Sequence, residues 1–240
     1  MKPRFLALAW LILLIPVSIL SPVSGQKGQV PTPPVVNGKP PFRLPLEGPP
    51  GPASWFIIQF YGNTRGAYQW RKIMYEHGQG LHFGVDFATR CKTPIVAIGD
   101  GKVDAVDALN HGAGPHNLII RHTNGLLSLY GHLYERPQLW IGQPVKAGQV
   151  VALSGDPDLT CTSRPHLHLE IRDGSYGYAF NPIPLIDADW DTLALMGGGA
   201  VFERDLENPR QWVSPTDQPV VDFGGALLND YSQPWPPPNW

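Results

Sequence analysis

Three short stretches hold the residues whose types and spacing could do chemistry. Gly80-Leu-His82-Phe-Gly-Val-Asp86 puts a carboxylate four residues after an imidazole. Pro165-His166-Leu-His168-Leu-Glu170 puts two imidazoles two residues apart, and Tyr130-Gly-His132-Leu carries another. On a strand, residues two apart share a face, so His166 and His168 look the same way; on extended chain, residues four apart do so too, which places His82 with Asp86. Zinc takes imidazole nitrogen and carboxylate oxygen, and a catalytic zinc needs three protein ligands and one open position. His82, Asp86 and one of the His166/His168 pair supply that number. Each stretch alone has an ordinary reading: a His-x-x-x-Asp is often a surface ion pair, and His132 after Tyr-Gly can be a turn residue. Together in one region, they make the ordinary account a run of coincidences. The other histidines, His77, His111, His116 and His122, have no partner motif and read as exposed or hydrogen-bonded side chains.

The elements that must position these residues are strands. Trp55–Phe60, Ile95–Ile98, Val103–Val106, Leu118–His122, Leu126–Tyr130, Val150–Leu153 and Leu167–Ile171 are short apolar or alternating runs. Turn signals such as Gly99-Asp100-Gly101 and Lys146-Ala147-Gly148 separate them. His122-Thr-Asn-Gly-Leu126 predicts a hairpin, because Asn-Gly supplies the positive φ a tight turn needs. Only Tyr68–His77 suggests helix, and then one or two turns. The spacing predicts an all-β, antiparallel domain over residues 55–187. Before it, Gln26–Pro52 holds nine prolines and four glycines, so residues 26–54 read as an extended, semi-rigid spacer. After it, residues 188–240 carry Trp190, Trp212, Trp235 and Trp240 and read as an extension that packs on the β domain, with saccharide binding by the tryptophans as the alternative.

Composition narrows the function further. Lys+Arg is 18 against Asp+Glu 20, a net charge of −2, so no basic excess exists to neutralise phosphates and nucleic acid is not expected as a partner. The hydrophobic fraction of 42% is enough to bury a core. Residues 1–25 show a basic start at Lys2 and Arg4, an apolar run from Phe5 to Leu20 and a small-residue exit ending at Gly25. That pattern predicts a cleaved secretory signal peptide, the run being short of the ~20 residues a spanning helix needs. The mature chain is therefore expected outside the cytoplasm with no stable membrane insertion, where a disulfide persists.

The motifs Leu81-His-Phe-Gly-Val-Asp86, Tyr130-Gly-His132-Leu and Pro165-His166-Leu-His168-Leu-Glu170 resemble those of the lysostaphin-type (LytM-like) zinc metallopeptidases. Thr93–Val103 and Val145–Gly155 look like the family's stretches after the first motif and before the last. The resemblance covers roughly residues 55–187. It implies an antiparallel β-sheet core, barrel- or sandwich-like, with Zn2+ in a groove. It also implies hydrolysis of peptide bonds in bacterial peptidoglycan cross-links or stem peptides. Carried over by motif, His82, Asp86 and His168 are the metal ligands, and His132 and His166 are the catalytic histidines that serve the attacking water. Family members that have lost ligands act instead as wall-binding or hydrolase-activating modules; this chain keeps all five residues. The sequence departs at Arg164, where the family usually has glycine, which can adopt backbone angles arginine resists. Tyr61, Tyr75 and Arg65 could line the groove, with packing or exposure the commoner fate of such residues. Cys91 follows Asp86 by five residues and Cys161 precedes His166 by five. If the motifs meet at one zinc, their flanks meet too, and a Cys91–Cys161 disulfide is expected. The protein is expected to act as a monomer.

Overall fold

The structure is a computed structural model that describes residues 31–32, 38–197, 203–208 and 211–231. The expected signal segment, Trp235 and Trp240 lie outside the described residues. The strands are β1 (Phe56–Gln59), β2 (Val85–Ala88), β3 (Pro94–Val96), β4 (Gly101–Val106), β5 (Leu118–His122), β6 (Leu127–Gly131), β7 (Pro144–Val145), β8 (Val150–Leu153), β9 (His166–Arg172), β10 (Tyr178–Phe180), β11 (Glu203–Arg204), β12 (Trp212–Val213) and β13 (Val221–Asp222). Two short helices, α1 (Arg65–Gln69) and α2 (Trp190–Met196), flank them. The main sheet runs β1-β2-β9-β6-β5-β4-β7, with β10 joining β9 to β13; β3 pairs with β8, and β11 with β12. All named strand pairs are antiparallel, so the fold is the all-β, antiparallel class expected.

β9 lies between β2 and β6, and every one of its residues is buried. Its sequence alternates, which sends Leu167, Leu169 and Ile171 to one face and His166, His168, Glu170 and Arg172 to the other. The leucine face joins the main core with Ile57, Phe87, Tyr130 and Phe180. Each such fully buried apolar side chain contributes roughly 1.5–3 kcal/mol. Opposite residues of antiparallel strands share a face, so Asp86 opposite His168 and Gly131 opposite His168 bring β2 and β6 into the polar face. A smaller apolar cluster of Ile119, Leu127 and Leu129 continues that face, with Leu127 opposite Arg172 and Leu129 opposite Glu170.

The β5–β6 hairpin closes as its sequence predicts. Gly125 takes φ +86° and donates its N–H to His122 O at 3.1 Å, and the Asn124 side chain accepts from Leu126 N–H at 3.1 Å. The helical signal at 68–77 resolves into α1, capped by the Thr64 hydroxyl, and a 3-10 turn at Glu76–Gly78.

Part of the Pro-rich stretch belongs to the fold. Phe42 and Leu46 are buried, Phe42 bridges to Ile186, and Val96 N–H donates to Pro45 O. The reason is in the sequence: Phe42-Arg-Leu44-Pro-Leu46 alternates apolar residues among the prolines, and an edge position tolerates proline. Of the tryptophans after residue 187, Trp190 packs near Phe60 at 6.2 Å between centroids, whereas Trp212 is largely exposed. Residues 218–231 lie against the first-motif region: the Tyr61 hydroxyl meets Ala179 O, Pro219 O and Val221 N–H, and Asn229 donates to Gly80 O and Asn63 Oδ1.

Candidate metal centre

His82, Asp86 and His168 are all buried, and one potential ligand atom from each lies within 4.8 Å of the others. His168 Nδ1 stands 2.7 Å from Asp86 Oδ1 and 3.2 Å from His82 Nε2, which is itself 3.3 Å from Asp86 Oδ1. Three elements converge here. Asp86 comes from β2 and His168 from β9, directly opposite in register. His82 precedes β2, held by reciprocal backbone hydrogen bonds to Gly62. The segment from His82 to Asp86 is not evenly extended; it bends at Gly84. A Cβ on Gly84 would sit 2.7 Å from His168 Cε1 and from Leu169 O, so only glycine lets the ring come this close.

Each ring nitrogen turned away from the cluster has a partner. His82 Nδ1 donates to Phe60 O at 2.7 Å, and His168 Nε2 donates to Glu170 Oε1 at 3.2 Å. Glu170 is held in turn by Arg172 Nε, whose guanidinium also donates to His111 O. Such outer bonds fix which nitrogen faces inward and aim its lone pair.

His166 and His132 stand beside the cluster with their ring centroids 4.7 Å apart. His166 Nε2 is 3.9 Å from Asp86 Oδ2, and its Nδ1 donates to Arg164 O at 2.6 Å. His132 donates from Nδ1 to Gly114 O. Its backbone takes a left-handed φ of 56°, costly for a residue with a Cβ. Hydrogen bonds hold it there: His132 N–H to Ala113 O, and Gly155 N–H to His132 O, with His166 N–H donating to Gly155 O. Gly155 thus ties the two histidines together, and any side chain there would strike the backbone of Leu133 and Tyr134.

The electrostatics follow the packing. Burial opposes ionisation of Asp86, but the His82 and His168 rings hold its carboxyl well below the usual carboxylate range. Burial likewise disfavours charge on His168, yet Asp86 and Glu170 raise it to about 9. Burial, then the neighbouring His168 and His166, push His132 down to about 4, so its imidazole is neutral at neutral pH.

The groove residues named from sequence divide. Tyr61 is buried in the core by the bonds above, and Arg65 is exposed at the start of α1. Tyr75 packs edge-on to His82 at 5.7 Å; burial and the Asp86 charge raise its phenol, while the Arg164 charge acts the other way. His122 is buried between Phe42, Asp100 O and Ser128 Oγ, and His116 pairs with Asp107. Arg164 needs no left-handed backbone; Leu159 and Cys161 take those angles instead. Cys91 and Cys161 form a disulfide that closes 70 residues of sequence and ties the flank of β2 to the flank of β9. A loop of that size contributes roughly 4 kcal/mol in the chain-entropy account. Sequence reasoning missed Gly84, Gly155 and Arg172; the first two are legible only once a close approach is known, and the third follows from the alternation of β9.

Residues 80–182 match the model for peptidase family M23, so the fold and its site define a peptidase domain. Over that stretch the chain is similar to the family. It is 37% identical over 90 residues to the peptidoglycan DD-endopeptidase ShyA of Vibrio cholerae, covering 38% of this chain and 20% of that protein. It is 32% identical over 109 residues to the glycyl-glycine endopeptidase ALE-1 of Staphylococcus capitis, covering 45% of this chain and 29% of that protein. Among solved structures, it is 31% identical to a catalytic-domain variant of the prophage-encoded M23 protein EnpA of Enterococcus faecalis. That match covers 58% of this chain and 95% of the other, with a TM-score of 0.45. The chain spans less than a third of the length of the curated relatives it matches.

Proposed function

We propose that this protein is a secreted zinc metalloendopeptidase that hydrolyses peptide bonds in peptidoglycan cross-links or stem peptides. The observation that carries the reading is the buried His82–Asp86–His168 donor set with two further histidines at its side. Two imidazole nitrogens and a carboxylate oxygen are a zinc-type set. Their outer nitrogens are already committed to Phe60 O and Glu170, which leaves His82 Nε2, His168 Nδ1 and Asp86 Oδ1 to hold the ion. A zinc ion held there supplies Lewis-acid polarisation of a peptide carbonyl and activation of water near neutral pH.

The chain's own residues do the rest. Neutral His132, with Nδ1 committed to Gly114 O, presents Nε2 as a proton acceptor; His166, committed to Arg164 O, presents its Nε2 likewise. One takes the proton from the attacking water and the leaving amine is protonated in turn. The substrate class rests on the relatives, one of which is named for peptidoglycan. Export rests on the basic, apolar and small-residue pattern of residues 1–25. Among the described residues, no helix is long and apolar enough to cross a membrane.

The test is digestion of purified peptidoglycan by the mature protein, with products identified by mass spectrometry. New amino termini at one bond type, lost on chelation and restored by zinc, are expected. A zinc-loaded protein that binds wall but releases no peptide would favour the wall-binding or activating module.

A further inference from the structure

The polar face of β2 and β9 does not end at the metal-type cluster. Ala88 is opposite His166, and Thr89 N–H donates to Pro165 O, which continues the pairing by one step. The printed pairing ends there; carried one position further, the same register sets Arg90 opposite Arg164. By alternation these two arginines share the face that carries Asp86, His166 and His168. Arg164 lies two residues from His166, about 7 Å of strand.

Their backbones are fixed. Arg90 O accepts from Ser154 Oγ at 2.8 Å and from Thr93 Oγ1 at 2.7 Å. Arg164 O accepts from His166 Nδ1, and Arg164 N–H donates to buried Asp156. The Cys91–Cys161 disulfide lies immediately beyond both. Their side chains are different: both residues are exposed, and among the described residues neither guanidinium has a hydrogen bond or an ion pair. The nearby acids are engaged elsewhere, Asp156 with Ser163 and Asp158 with Thr160. Two like charges placed opposite one another are destabilising. Fixed backbones carrying two exposed guanidinium groups without partners among the described residues offer a preorganised receptor for an anion.

We infer that Arg90 and Arg164 form a carboxylate-reading subsite at the His166 end of the groove, so that the protein prefers peptides bearing a free carboxylate a few residues from the scissile bond. This rests on the proposed peptidase function and narrows it: an anionic stem peptide is favoured over an uncharged bridge. Arginine suits the task because its planar fork matches a carboxylate in two-point contact.

The experiment compares hydrolysis of purified peptidoglycan with hydrolysis of the same material after carbodiimide amidation of its carboxylates. The full mature chain and its Arg90→Gln, Arg164→Gln and double variants are assayed side by side. The wild type should favour the unamidated wall by at least about tenfold in kcat/KM. The double variant should bring that ratio close to one, and Arg164→Lys should restore part of it. A wild-type ratio near one, or a double variant that keeps the wild-type ratio, overturns the subsite. A second arm is independent of turnover: calorimetric binding of soluble peptide fragments from the wall, native and amidated, to wild type and double variant. Selective weakening of native-fragment binding in the double variant is expected, and equal binding of both fragments by both proteins overturns the inference. Absence of hydrolysis by the wild type, with selective binding kept, would sink the peptidase reading while leaving the subsite standing.

Discussion

Along β9 the chain alternates Leu167, Leu169 and Ile171 with His166, His168, Glu170 and Arg172, and both sets are buried. The leucine face is stabilised by exclusion from water, which has no direction and tolerates exchange among side chains of similar volume. The histidine face lies in the same strand at the same depth, yet each polar atom there costs free energy unless it is paired. The pairing is a chain of contacts: Arg172 holds Glu170, Glu170 holds His168, and His168 faces Asp86 and His82. One face therefore specifies that the strand is inside, and the other specifies which atom points where. Chemistry needs the second kind of information, and the strand carries both because its side-chain period is two.

The contrast can be broken at several depths. The largest effect is on turnover: His132→Ala and His166→Ala should each lower wall hydrolysis by at least ~100-fold, the usual scale of acid–base assistance. Zinc content, read by elemental analysis, should stay at the wild-type level in both. Next is Arg172→Leu, which removes the cationic partner of Glu170 Oε2 from the interior and should cost about 3–5 kcal/mol in denaturant unfolding. The double variant Glu170→Leu/Arg172→Leu sharpens the comparison: it should regain part of that stability while turnover stays low, because His168 has lost the bond that orients it. Smallest is Leu169→Met on the opposite face, which should cost under about 1.5 kcal/mol and leave hydrolysis close to wild type. A Leu169→Met protein that loses activity as severely as the histidine variants would remove the distinction between the faces.

Much of this was legible before any coordinates. Leu118–His122 and Val150–Leu153 are strands over the spans their apolar patterning predicts, and the hairpin at Asn124-Gly125 follows from local turn chemistry. β2 was harder to read as a strand, since Val85-Asp-Phe-Ala is short and carries its function within its only four residues. The joining of Phe42–Leu46 to the core was hidden by proline content, which masks a period-two pattern. His82, Asp86, His132, His166 and His168 stood out because their types are rare in a strand-rich core. The glycines that let them meet did not: Gly84 and Gly155 matter through the space they leave, and space is a property of the neighbours. The packing of residues 218–231 through Tyr61, Gln79 and Asn229 depends on contacts across roughly 150 positions, which no local pattern encodes.

The central claim is that the five residues divide into three that hold a metal and two that move protons. Its most direct test is zinc content measured on folded preparations of the wild type and of His82→Ala, Asp86→Ala, His168→Ala, His132→Ala and His166→Ala, with peptide release from peptidoglycan assayed on the same samples. The account predicts about one zinc per chain in the wild type, joint loss of zinc and activity in the first three variants, and zinc without activity in the last two. Full zinc occupancy in His82→Ala, Asp86→Ala and His168→Ala would contradict it.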